Sequence, residues 1–65
     1  MTPTLTPREF QVIKLLAQGM TNKEIAHYID ISEHTANFHV GNLARKLNAP
    51  NRTVIAVKAV KLGLV

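Results

Sequence analysis

The sequence predicts an all-α fold of four short helices, and three observations carry that reading. Helix-start signals recur along the chain, and two of them are complete capping boxes, Thr6-Pro7-Arg8-Glu9 and Thr21-Asn22-Lys23-Glu24. Apolar residues return every three or four positions between those starts and the Gly or Pro stops that follow. No segment alternates apolar and polar residues at period two over any length, so no strand is expected.

The first helix is expected near 6–18. Pro7 takes the first helical position, where its missing N–H costs nothing, and Leu5 and Phe10 stand where a hydrophobic staple belongs. Phe10, Ile13, Leu16 and Ala17 then run at helical spacing until Gly19, which accepts a left-handed stop. Met20 and Ile25 are the staple pair of a second helix near 22–29, and Ile25, Ala26 and Ile29 give it one apolar face. Asp30-Ile31 makes the next break. Ser32 caps a third helix near 33–47, whose inward stripe is Ala36, His39 or Val40, Leu43 and Leu47. Asn48-Ala49-Pro50 ends it, because Pro50 disfavours helix in the residue before it. Asn51 caps a fourth helix near 52–62, which Gly63 stops.

The chain has 65 residues, enough for one domain, residues 1–65, and no more. A chain this short buries only about 60% of the surface it exposes when unfolded, so small scaffolds recruit disulfides, a metal or a second subunit. The absence of Cys removes disulfides and thiolate metal sites, and leaves oligomerisation open. With 46% hydrophobic and 18% charged residues the composition is globular rather than disordered. No apolar run approaches a membrane span and no signal peptide opens the chain, so a soluble cytoplasmic domain is expected.

The net charge of +4 is unevenly placed. Residues 1–33 hold Arg8, Lys14 and Lys23 against Glu9, Glu24, Asp30 and Glu33. Residues 34–65 hold Arg45, Lys46, Arg52, Lys58 and Lys61 with no acid at all. A polarised basic half suggests a polyanionic partner, and the plainer alternative is a solvated face kept for solubility. The second and third helices sharpen the choice. Ile25, Ala26, Ile29, Ile31 and Ala36 sit at helix-turn-helix offsets, with Ala26 small where the helices cross and Ile31 plugging the core between them.

Leu5-Thr6-Pro7-Arg8-Glu9 and Ala17-Gln18-Gly19-Met20-Thr21-Asn22-Lys23-Glu24-Ile25-Ala26 carry a more specific signal. Ile31-Ser32, Thr35, His39, Asn42, Arg45-Lys46-Leu47 and Asn51-Arg52-Thr53 extend it. In these residues the sequence resembles the LuxR-type (NarL/FixJ, GerE-like) helix-turn-helix domain of bacterial transcription regulators, over nearly the whole chain without a gap. The resemblance implies a four-helix domain whose third helix enters the major groove of double-stranded DNA and which usually dimerises through its fourth. Such domains are often the C-terminal output half of a response regulator or quorum sensor, and some stand alone. This chain fits either, and its opening Met1-Thr2-Pro3-Thr4 fits an initiator and a domain boundary equally well. RNA polymerase is a further partner such a regulator implies, and no cofactor is expected.

With the core stripe on Ala36, Val40, Leu43 and Leu47, the outward face of the third helix carries Glu33, His34, Asn37, Phe38, Gly41 and Arg45. The resemblance puts base reading on Asn37, Phe38 and Gly41, and His34 joins them at the helix start. The sequence departs from the family there, since Lys is common where Asn37 stands and Val where Ala36 stands. Asn37 can pair bidentately with adenine, or is an ordinary exposed polar residue. Phe38 either meets a thymine methyl or folds sideways onto the core edge. Gly41 costs about 1 kcal/mol inside a helix relative to Ala, and either permits close approach to DNA or reads nothing.

Phosphate contacts are expected from Thr21, Asn22 and Lys23 at the start of the second helix, where N–H groups are free and the dipole is positive. The resemblance assigns backbone contacts to Thr35 and Lys46, with Arg45 beside Lys46. Ser32 lies at the start of the reading helix, and Arg52 and Thr53 begin the fourth. Ser32 and Thr21 also read as plain caps, while Lys14, Lys58 and Lys61 read as solvated charges. On the fourth helix Ile55, Ala59 and Leu62 face the core. Val54, Val57 and Val60 make a second apolar strip, bordered by Lys61, that suggests burial against a second subunit. Scattered surface valines are the simpler alternative. A twofold pair would set two reading helices about one DNA turn apart and favour a pseudo-palindromic site.

Other classes fit less well. His27, His34 and His39 are spaced by seven and five residues, not the i, i+4 pair that binds zinc on a helix, so no metal is expected. His39 reads instead as packed or phosphate-adjacent, and Glu9 as serving its capping box or pairing with a nearby base. One Ser, four acids and three isolated glycines assemble no nucleophile system or phosphate loop, so the chain is not expected to be an enzyme. A helical protein-interaction module remains, as does a relative of sigma-factor region 4, which resembles the chain in its Leu5-Thr6-Pro7-Arg8-Glu9 opening. That group typically has Arg where His39 stands and lacks an apolar fourth helix.

Overall fold

A computed structural model describes residues 3–65. Met1 and Thr2, which open the expected 1–65 domain, lie outside the described residues. Four helices and no strand make up the described residues: α1 Pro7–Ala17, α2 Asn22–Tyr28, α3 Glu33–Lys46 and α4 Arg52–Lys61. The all-α class is as expected, with each helix slightly shorter than the sequence reading.

Every start is capped by a side chain in extended backbone. Thr6 Oγ1 accepts from the Glu9 N–H at 3.1 Å, and the Thr6 N–H donates to Glu9 Oε1 at 2.8 Å. Thr21 and Glu24 repeat the reciprocal pair at 3.1 and 2.8 Å. Ser32 Oγ accepts from the Thr35 N–H and Asn51 Oδ1 from the Val54 N–H, both at 3.0 Å.

The ends share one geometry as well. Gly19, Asp30, Asn48 and Gly63 follow the four C-caps, and all four have positive φ. The next N–H then reaches back five residues: Met20 to Leu15 O, Ile31 to Ala26 O, Ala49 to Ala44 O and Leu64 to Ala59 O, at 2.8–3.2 Å. This is the Schellman arrangement, and each donor residue is apolar and folds towards the core. Four helices therefore stop sharply, and the short connections turn the chain back on itself.

Val12, Ile13 and Leu16 of α1, Ile25 and Ala26 of α2, Ala36 and Leu43 of α3, and Ile55 and Ala59 of α4 form the core. α2 packs mainly on α3, and α1 lies across both α3 and α4. Ile31, in the turn between α2 and α3, packs against the core as expected.

Three expectations are corrected. Phe10 stands at the surface while Val12 and Leu15 are buried, because the inward face of α1 is centred on Glu9, Val12, Ile13 and Leu16. Leu62 is 41% exposed, and its place in the core is taken by Leu64 beyond the left-handed turn at Gly63. Lys58 is not a simple solvated charge: its Nζ donates to Leu47 O at 2.9 Å and Asn48 O at 3.1 Å. A cation on the last carbonyls of α3 complements the negative end of that helix and ties α4 to it.

Candidate nucleic-acid interface

α3 presents the face the sequence assigned to it. Glu33, His34, Asn37, Phe38, Gly41 and Arg45 are all exposed, while Ala36, Leu43 and Leu47 are buried and Val40 packs against the core. Phe38 is 63% exposed, so it does not fold onto the core; its ring meets the edge of the half-buried His39 at 5.9 Å between centroids. The ring is therefore free to meet an apolar group outside the chain. Beyond its adjoining residues and the helix's own backbone, nothing lies within 4 Å of where a Cβ on Gly41 would stand, so no packing neighbour requires glycine there.

The cap of α3 also orients a donor. Ser32 Oγ accepts from the Thr35 N–H and gives its own hydrogen to Thr35 Oγ1 at 2.9 Å. That leaves the Thr35 hydroxyl hydrogen as the group able to donate to an acceptor such as a phosphate oxygen.

Two of the expected phosphate-binding cations are engaged inside the protein. Lys46 Nζ donates to Glu9 Oε1 at 2.6 Å and to Thr4 O at 3.1 Å. The Lys46 side chain is only 30% exposed and that of Glu9 only 4%, so this is a half-sheltered ion pair between α1 and α3. The half-buried Arg52 donates from Nη1 to Asn22 Oδ1 and from Nη2 to Met20 O. Asn22 in turn donates from Nδ2 to Asn37 Oδ1 at 2.6 Å. The starts of α2 and α4 are thus joined to the middle of α3 by a line of polar side chains that sequence reasoning missed. Its members are 15 and 30 residues apart, and no local pattern signals such a link. Thr21 serves its cap, whereas Lys23 and Arg45 are exposed.

Along α4, Val57 is 46% and Val60 65% exposed, and Lys61 is exposed beside them. Val54 is half-buried and packs partly against the protein's own core, so it contributes less free surface than expected. Leu62 and Val65 beyond the helix are also exposed apolar residues. Among the described residues there is no cluster of three or more potential metal ligands, and no helix is long and apolar enough to cross a membrane.

A short capped helix, a tight turn and a following helix with an exposed face define a helix-turn-helix module. The chain matches the family model GerE, bacterial regulatory proteins of the luxR family, over residues 3–59. It is 43% identical over 67 residues to Regulatory protein SdiA of Escherichia coli, covering all of this chain and 28% of that protein. To the quorum sensing-dependent transcriptional regulator RpaR of Rhodopseudomonas palustris it is 48% identical over 61 residues, 94% of this chain and 25% of the relative. Nitrate/nitrite response regulator protein NarP of Escherichia coli is 47% identical over 53 residues, 82% of this chain and 25% of that protein. The chain belongs to the luxR family of bacterial regulatory proteins, which are helix-turn-helix DNA-binding transcription regulators. It spans about a quarter of the length of these curated relatives.

Proposed function

We propose that this domain binds double-stranded DNA with α3 in the major groove, as part of a transcription regulator, and pairs through α4 on a pseudo-palindromic site. The observation that carries the reading is the outward face of α3, where Asn37, Phe38 and Gly41 stand exposed together, with Glu33 at the helix start the one acid on that face. His34 and Arg45 flank that face, and on this reading the Thr35 hydroxyl, Ser32, Lys23 and Thr21 would meet the phosphates. Thr35 is the best prepared of these donors. Lys46, Asn22 and Arg52 are already bonded within the chain and support the face more than they extend it. Val57, Val60 and Lys61, with a smaller share from Val54, form the surface for a second copy. Contact with RNA polymerase and response to an upstream signal belong to the whole regulator.

A gel-shift titration over a salt series tests the reading. Binding through phosphates predicts that log affinity falls linearly with log salt, losing roughly 0.9 in slope per phosphate neutralised. Affinity for DNA that ignores salt, or none at all, would favour a protein-interaction module instead.

A further inference from the structure

We propose that Asn22 and Arg52 are positioning residues that decide whether Asn37 offers a base a hydrogen-bond donor or an acceptor. The proposal rests on the assignment of α3 as the base-reading helix. A guanidinium only donates, so the bond from Arg52 Nη1 fixes the Asn22 carboxamide with its oxygen towards Arg52. The second bond, from Arg52 Nη2 to Met20 O, holds the guanidinium in place. With its oxygen committed, Asn22 presents Nδ2 to α3 and donates it to Asn37 Oδ1 at 2.6 Å. Asn37 therefore turns its oxygen back towards the protein and keeps its NH2 group for a partner outside.

That orientation changes what Asn37 reads. Bidentate pairing with adenine needs the Asn37 oxygen to accept from the adenine amino group, and here Asn22 competes for that oxygen. An NH2 group facing the groove fits the two acceptors of guanine, N7 and O6, and meets the amino group of adenine unfavourably. The wild-type domain thus selects guanine over adenine at the base facing Asn37. The choice is imposed from the start of α2 and the start of α4, by residues that do not touch the base.

Asn22→Asp is the decisive variant. A carboxylate still accepts from Arg52 but can only accept from Asn37, so the Asn37 amide rotates and presents its oxygen. Asp at the first position of a helix is also favourable to the helix dipole, so α2 is retained. Selection from a random DNA pool, run in parallel on the 65-residue wild type, Asn22→Asp and Asn37→Ala, reads the outcome. The position lost in Asn37→Ala identifies the base. There the wild type is expected to favour guanine over adenine about tenfold, and Asn22→Asp to invert that ratio. The added negative charge weakens binding to all sequences alike and does not move the ratio. A selective wild type whose preference is unchanged in Asn22→Asp overturns the positioning role alone. A wild type that selects no sequence overturns the reading of α3 and this proposal with it. A measurement on the free protein does not depend on that variant folding: the Asn22 side-chain amide protons should exchange slowly, and faster in Asn37→Ala. Exchange as fast as that of an ordinary exposed amide in the wild type would reject the arrangement.

Discussion

Glu9 sits 3% exposed at the foot of α1, where a lone carboxylate would be costly. Burial raises its pKa, but the hydrogen bonds from Lys46 and the Thr6 N–H, with the charge of Lys46, outweigh burial and leave it below the ordinary carboxylate value. A folded pKa below the unfolded one means the group stabilises the fold fully at pH above its ordinary carboxylate value. The contribution is lost as pH falls through the lower, folded value. Lys46→Met strands the buried carboxylate, so urea unfolding at neutral pH should show a loss of about 1–3 kcal/mol. Adding Glu9→Gln should recover part of it, and an unchanged urea midpoint in Lys46→Met would refute the role. Because the Lys46 charge is already offset by Glu9, its removal should lower the salt slope of DNA binding by less than one phosphate's worth. Gly41→Ala is the opposite kind of change. With open space around the new Cβ, the free domain should gain about 1 kcal/mol and melt at a higher temperature. A simultaneous fall in DNA affinity would mark Gly41 as a place of close approach, and unchanged affinity as one that reads nothing.

Among the elements, the helix ends explain both what was readable and what was not. Gly19 and Gly63 announce left-handed turns, and all four starts follow from Ser, Thr or Asn caps with their short-range bonds. These are interactions over three residues, so the sequence alone exposes them. The apolar stripe of α1 differs from the one its apolar spacing predicts, because its centre is a charged residue. Counting apolar positions alone rotates the face towards Phe10, whereas Glu9, Val12, Ile13 and Leu16 form the true arc. Leu62 departs from its expected core place for a related reason: the helical period ends at the left-handed turn, and Leu64 falls inward instead. Gly63→Ala isolates that turn. No atom beyond the adjoining residues lies within 4 Å of the added Cβ, so the cost is backbone strain alone, about 1–2 kcal/mol by thermal or urea unfolding. A neutral result would mean that the turn relaxes without penalty.

For the molecule as a whole, the basic half defined by sequence is partly consumed internally. Lys46 pairs with Glu9, Arg52 holds Asn22 and Met20, and Lys58 covers the end of α3. The outward face of α3 was legible because period alone separates it from the core. The Arg52–Asn22–Asn37 link was not, because it is made by residues distant in sequence and two of them are neutral. The proposed pairing through α4 is tested at this scale too. Val57→Glu places a charge on a 46% exposed site, so the monomer should keep its helical content. Sedimentation and binding to paired half-sites should both show loss of self-association, and cooperative occupation that survives would reject that surface.

The helices also have a consequence for how the domain comes apart. α1, α2 and α4 have 11, 7 and 10 residues, and α3 has 14. Isolated helices shorter than about 12–15 residues are marginal in water, so almost none of these could persist without the others. Each is closed at both ends by its own residues but held by a core shared among all four. Loss of any one helix therefore opens the rest, and the molecule has no stable half to retreat to. Whatever grips the exposed face of α3 gains leverage over the entire folding equilibrium.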